Sequence, residues 1–95
     1  MDVAHTIAAQ IGNRAFMMMG AKNLAAGEST LTWKIGRNAK GVTHVRVELT
    51  PMDTYTVRFY RVRGTRQAEL EAVDDVYVDS LRSTIENHTG LYLSL

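Results

Sequence analysis

Three successive segments between residues 30 and 60 decide the fold: TLTWKIG at 30–36, THVRVEL at 43–49 and YTVRFY at 55–60. In each of them apolar residues alternate with polar ones, which is typical of a β-strand with one buried and one exposed face. The expected inward side chains are Leu31, Trp33, Ile35, Val45, Val47, Leu49, Tyr55, Val57 and Phe59. We therefore predict three strands that share one core.

The connections between these segments predict antiparallel pairing. Residues 36–41 (GRNAKG) are typical of a turn, and Pro51 interrupts the chain between the second and third strands. A slip of one residue would move every side chain of a strand to the opposite face, so inward residues have to pair with inward residues. This predicts that Leu49 lies opposite Tyr55.

The same pairing rule predicts a row of three cations across the polar face of the sheet. Arg46 is expected opposite Arg58, and pairing of Ile35 with Val45 would set Lys34 opposite Arg46. Like charges directly opposite each other destabilise a sheet slightly. An anionic partner would relieve that cost.

The flanking segments are expected to extend the sheet and to cover it. Val3–Ile11 has apolar residues at helical spacing and predicts a first helix. Residues 14–21 are apolar on both faces and predict a strand, whereas residues 23–29 predict a loop. Residues 68–72 alternate again and predict a fifth strand.

A second helix is predicted over Asp75–Thr89. Acidic residues suit a helix N-terminus, so Asp74 or Asp75 is the expected start, and Gly90 the expected end. Its apolar positions would be Tyr77, Leu81, Ile85 and His88. The last residues, 91–95, are too apolar for a free tail and are expected to dock against the body.

Composition supports one domain spanning residues 1–95 of the α+β class: an antiparallel β-meander of four to five strands with two helices packed on one face. The chain has 95 residues and no cysteine, so disulfides, thiolate nucleophiles and Cys-ligated zinc are excluded. The acidic start and the lack of an apolar run of about 20 residues predict neither a secretory signal nor a membrane span. The expected compartment is the cytoplasm.

The sequence offers little support for an enzyme. His5, His44 and His88 are the only histidines, and none has a second ligand at a standard zinc spacing. No nucleophile elbow, phosphate-binding loop or dinucleotide fingerprint is present. We therefore expect no catalytic residues, no metal and no cofactor.

An anion-binding surface is better motivated, because charge is unevenly distributed along the chain. Residues 33–66 carry eight basic and two acidic side chains, whereas residues 67–95 carry one basic and six acidic ones. The alternative is that one half of the fold simply neutralises the other. The predicted nucleic-acid-binding residues are Lys34, Arg37, Lys40, Arg46, Arg58, Tyr60, Arg63 and Arg66.

A protein-interaction module is the second hypothesis. Met17 and Met19 would stand on the outer side of an edge strand, and adaptable methionines suit interfaces. The partner would be a second copy, giving a homodimer, or a host protein that this chain inhibits; the acidic C-terminal helix is the other candidate surface. Alternatively, both faces of that strand are covered within the chain.

Three segments resemble small proteins encoded in bacteriophages, prophages and plasmids: MMMGAKN at 17–23, TPMDTYTV at 50–57 and HTGLY at 88–92. The resemblance implies a mobile-element setting and supplies no activity or site residues. Together with the charge pattern, it predicts a non-enzymatic accessory protein of a mobile genetic element that binds an anionic partner, nucleic acid above all, through a basic sheet face.

Overall fold

The structure is a computed structural model that describes residues 2–91 and 93. Its five strands form one sheet in the order β1-β2-β3-β4-β5, and every neighbouring pair is antiparallel. The helices are α1 (Val3–Ile11), α2 (Asn13–Met19) and α3 (Leu81–Thr89), the last preceded by a 3-10 turn (Val78–Ser80). The strands are β1 (Lys22–Ala26), β2 (Thr30–Lys34), β3 (His44–Leu49), β4 (Tyr55–Arg63) and β5 (Arg66–Val76). The α+β class and the meander are confirmed.

The core lies between one face of this sheet and the helices, of which the structure describes three rather than two. Each helix contributes side chains to the same buried cluster as the inward residues of β2, β3 and β4. Phe16 of α2 packs edge-on against Trp33, with ring centroids 5.2 Å apart. His88 of α3 stacks on Phe59 at 5.0 Å. The opposite side of the sheet, which bears the polar residues of β2, β3 and β4, is called the open face below.

Helix α1 forms where the spacing predicts it. Asp2 caps its start by accepting a hydrogen bond from the backbone N–H of His5 at 2.8 Å, and Gly12 ends it with a φ of 89°. Ile7 and Ile11 are fully buried against the sheet.

The strand predicted over residues 14–21 is wrong, because most of this segment is helix α2. Phe16 and Met19 are buried on one side of the helix, whereas the side chain of Met17 is 81% exposed. Gly20 ends the helix in the left-handed conformation and donates its N–H to the carbonyl of Met17 at 3.1 Å. A run of consecutive apolar residues has no period, so it could not distinguish a helix from a two-sided strand.

The loop predicted over residues 23–29 is also wrong in its first half, where β1 forms the edge of the sheet. Every residue of β1 is exposed. Its sequence, KNLAA, therefore lacks the alternation of apolar and polar residues that indicates a strand with one buried face. Its pairing with β2 is interrupted between Lys22 and Ala25, and Asn23 there has a positive φ of 56°.

The register predicted between β3 and β4 is confirmed, with Leu49 opposite Tyr55 and Arg46 opposite Arg58. The register predicted between β2 and β3 is wrong by two residues. Arg46 lies opposite Thr32, and Lys34 lies opposite His44. A shift of two preserves the faces of the sheet but removes Lys34 from the predicted row of cations.

Strand β5 is longer than predicted and continues through the residues expected to begin the second helix. Asp74 and Asp75 belong to this edge strand, and α3 begins only at Leu81. The prediction of an acidic C-terminal helix is therefore wrong, because most of the acidic side chains of residues 67–95 lie on β5. At the chain end, Leu93 is buried as expected of a docked segment, whereas residues 92, 94 and 95 lie outside the described residues.

A bulge at Leu70 divides β5 into two halves. Phe59 pairs with Glu71 and the next residue, Tyr60, pairs with Glu69, so Leu70 is an extra residue in β5. Glu71 therefore points to the helices, where it lies 3.5 Å from Nε2 of His88, while Glu69 points to the open face.

Candidate nucleic-acid interface

The meander separates cationic from anionic side chains along the strand direction. The β2–β3 loop, the β4–β5 turn and the start of β1 all lie at one end of the sheet. This basic end carries Lys22, Lys34, Arg37, Lys40, Arg61, Arg63 and Arg66. The opposite, acidic end carries Glu28, Glu48, Asp53, Asp74 and Asp75. The charge asymmetry of the sequence is thus a separation in space.

The cations of the basic end have no carboxylate partners among residues 2–91 and 93. The salt bridges found there, all within 4.0 Å, join His5 to Asp2, Arg58 to Glu69 and His88 to Glu71. Lys22 faces Lys34 directly across β1 and β2, and Arg63 faces Arg66 across the hairpin. Like charges are therefore placed next to each other without a described counter-charge, which favours binding of an anion.

The β2–β3 loop holds Arg37 and Lys40 in an ordered conformation. The side-chain amide of Asn38 donates to the carbonyls of Gly36 at 2.9 Å and Val42 at 2.7 Å, and its oxygen accepts from the N–H of Val42 at 3.1 Å. Three hydrogen bonds from one side chain replace the ladder bonds that the loop lacks.

Arg61 fastens this loop to the β4–β5 hairpin. Its Nε donates to the carbonyl of Gly41 at 3.0 Å, and one terminal nitrogen donates to the carbonyl of Lys40 at 3.4 Å. A Cβ at Gly41 would lie 2.4 Å from that guanidinium, and the φ of Gly41 is 71°. Glycine is favoured at position 41 chiefly by this positive φ, because the end of the flexible Arg61 side chain could move aside.

On the open face the two arginines that face each other differ in their partners. Nη1 of Arg58 lies 3.0 Å from Oε1 of Glu69, and this hydrogen bond raises the pKa of Arg58 above its usual value. No described carboxylate lies within 4.0 Å of Arg46. The predicted stripe Lys34–Arg46–Arg58 is therefore replaced by the row Thr32–Arg46–Arg58–Ala72, in which Arg46 is the arginine without a counter-charge.

A shallow depression lies beside Arg46 on the open face. Its volume is about 350 Å³. It is lined by Thr32, His44, Arg46, Tyr60, Val62 and Gln67. Burial and the neighbouring charge of Lys34 lower the pKa of His44 below its ordinary value of 6.5, which favours the neutral ring.

The structure brings the predicted binding residues together in two places. Arg37, Lys40, Arg63 and Arg66 lie at the basic end, and Arg46, Arg58 and Tyr60 lie on the open face, with Lys34 at the boundary between them. Lys22, Arg61 and Gln67 were not predicted from the sequence as site residues. Lys22 was missed because the residues of β1 do not alternate between apolar and polar. Gln67 was missed because the β4–β5 register, which pairs it with Val62, had not been predicted.

Met17 and Met19, which were predicted to form an interface together, lie on different sides of helix α2. Met19 is 1% exposed and belongs to the core, so it is not available to a partner. Met17 lines a groove between α2 and the edge strand β1, together with Leu24, which is 49% exposed.

The described residues include no group of three or more His, Asp or Glu side chains arranged to hold a metal ion. Among the helices that the structure describes, none has the length and apolar character needed to cross a membrane.

A scan against protein-family models, a search of curated proteins and a search of solved structures each return no match to this chain. A function for the protein therefore has to be derived from the positions and charges of its own residues.

Proposed function

We propose that this protein is a non-enzymatic accessory protein of a mobile genetic element, and that it binds nucleic acid through its basic end and the adjoining open face. The observation that carries the proposal is the collection of seven cations at one end of the sheet with no described carboxylate within 4.0 Å. The mobile-element part rests on the resemblance of three segments to phage, prophage and plasmid proteins.

A polyanion fits this arrangement better than a single small anion. The cations are distributed over the start of β1, the β2–β3 loop and the β4–β5 hairpin, so they span the width of the sheet. Nucleic acids present a regular series of phosphates over such distances, and lysine and arginine contacts to them release counterions. The side chains of the acidic end lie at the far end of the sheet, where they would not oppose the phosphates, and Glu69 on the open face is paired with Arg58.

Salt-dependent binding of a labelled oligonucleotide tests the proposal. The double variant Arg63→Gln/Arg66→Gln removes two charges from the basic end. If both contact phosphate, the slope of log K against log salt concentration becomes shallower by about 1.4 for a single strand or about 1.8 for a duplex.

Arg82→Glu is the matched control, since it lowers the net charge by the same amount at an exposed position near the start of α3. We expect it to leave the slope almost unchanged. An equal effect of both variants would mean that net charge alone governs binding, and no binding by the wild type at low salt would overturn the proposal.

A homodimer formed through β1 is the second candidate function, favoured by the exposure of Met17 and Leu24 beside an open sheet edge. Antiparallel pairing of two β1 strands would set the basic end of one copy beside the acidic end of the other. Sedimentation at micromolar to millimolar concentration tests this candidate, and a monomer throughout would eliminate it.

A further inference from the structure

We infer that the depression on the open face accepts an unpaired nucleobase, so that the nucleic acid bound is single-stranded. The inference rests on the proposed function and goes beyond it, because it names the form of nucleic acid and the site of its base. The depression is formed by residues of β2, β3, β4 and β5 on the side of the sheet away from the helices.

Two rings stand next to each other in this site. His44 and Tyr60 are directly opposite across β3 and β4, and both side chains line the depression. Val62 adds an apolar wall. Flat aromatic and apolar surfaces of this kind stack on a base irrespective of its identity. The volume of about 350 Å³ lies in the range of small-ligand sites.

The polar lining matches the mixed edge of a base. The guanidinium of Arg46 only donates, the amide of Gln67 both donates and accepts, and the hydroxyl of Thr32 does either. The lining includes no carboxylate. Base edges carry carbonyl oxygens, ring nitrogens and amino groups, so these side chains can pair with them.

Thr43 orients the ring of His44. The hydroxyl of Thr43 accepts a hydrogen bond from the N–H of Val62 at 2.8 Å and lies 2.8 Å from Nδ1 of His44, with the carbonyl of Tyr60 as a further acceptor at 3.4 Å. The lowered pKa of His44 favours the neutral ring.

Two cations that could hold the flanking phosphates lie on the same face as the depression. Arg46 is part of its lining, and Lys34 lies directly opposite His44. Arg63 and Arg66, the pair that follows Val62 and Gln67, point to the other face by strand alternation. A base in the depression would therefore have Arg46 and Lys34 beside it. A duplex keeps its bases stacked inside the helix, so an unpaired base is needed.

Three fluorescent probes of equal length test the inference: a mixed-sequence single strand, the same strand annealed to its complement, and a strand of abasic sugar phosphates. We expect the wild type to bind the single strand about 5- to 150-fold more tightly than the abasic strand, the range that one base–aromatic stack provides. Tyr60→Ala should bring the single strand to the abasic level without changing abasic binding.

Tyr77→Ala is the matched control, because Tyr77 is 64% exposed and lies beyond the end of β5. Gln67→Ala, at an exposed edge position, gives a second reduction that does not depend on the fold tolerating Tyr60→Ala. Equal wild-type affinity for the single strand and the abasic strand would overturn the base site and leave the proposed function standing. Absence of binding to all three probes would overturn both.

Discussion

Arg46 and Arg58 face each other across β3 and β4, yet among the residues that the structure describes a carboxylate holds only Arg58, that of Glu69 at 3.0 Å. The charge of Arg58 is therefore balanced by Glu69, whereas the charge of Arg46 is not balanced by a described carboxylate. Both lie on the open face beside the depression that we assign to a base, so a change at Glu69 alters the charge of this face without touching the cations themselves.

Glu69→Gln is expected to strengthen nucleic-acid binding, because it frees the guanidinium of Arg58 for a phosphate. One additional contact would steepen the salt slope by about 0.7 for a single strand. Arg58 and Glu69 are 35% and 42% exposed, so loss of their ion pair should cost only about 0–1 kcal/mol of stability. Glu71→Gln, the same change on the helix side, is the control, and identical slopes for both variants would contradict the prediction.

Asn38→Ala is expected to lower the free energy of unfolding by about 1–3 kcal/mol, because it removes three hydrogen bonds that order the β2–β3 loop. Asn38→Asp should cost at least as much, since a carboxylate cannot donate to the two carbonyls. Denaturant unfolding measures both variants. Asn87→Ala on the exposed surface of α3 is the control, and a cost no larger than its own would show that Asn38 does not order the loop.

Met17→Lys and Met19→Lys are expected to differ sharply. The side chain of Met17 is exposed, so lysine there should change stability by less than about 0.5 kcal/mol. The side chain of Met19 is buried in the core, and an unpaired charge there should cost more than about 3 kcal/mol. Thermal unfolding measures both. Similar stabilities of the two variants would contradict the helical assignment of this segment.

The stability of the protein is expected to fall at acidic pH through His44. Its pKa is lowered in the folded state, chiefly by burial and further by Lys34, so below about pH 6.5 the unfolded chain takes up a proton that the folded chain resists. The penalty is absent above the unfolded pKa and grows as the pH falls through the interval between the unfolded and folded values.

Denaturant unfolding at pH 7.5 and pH 5.5 measures this effect in the wild type and in His44→Gln. The variant should lose less stability between the two conditions. His5 and His88 are present in both proteins, so their contributions cancel in the comparison. A wild type that loses no more stability than the variant would be the contrary result.

Alternation of apolar and polar residues was sufficient to predict β2, β3 and β4 and the pairing of β3 with β4. Alternation failed to predict α2 and β1, because neither segment has a repeating pattern of apolar and polar residues. Phe16 to Met19 is uniformly apolar, and β1 is uniformly exposed, so neither segment has a pattern that distinguishes a helix, a strand or a loop. The register of β2 with β3 depended on the length of the β2–β3 loop, which Asn38 fixes through bonds invisible in the sequence.

The membership of the candidate site was largely predictable, but its charge balance was not. Six of the seven cations of the basic end are conspicuous in the sequence between residues 33 and 66. That Glu69 reaches Arg58 depends on the bulge at Leu70, which turns Glu69 and Glu71 to opposite sides of the sheet. A bulge is defined by how two strands pair, so the sequence of β5 alone could not predict it.

The separation of charge along the strands gives a nearly neutral protein a permanent electric dipole. With a net charge of only +1, the molecule is not drawn strongly toward a polyanion as a whole, but the field would rotate it until the positive pole leads. This orientation acts before contact and over about one Debye length, near 8 Å at physiological ionic strength. Added salt should therefore slow the encounter itself, in addition to weakening the complex once formed.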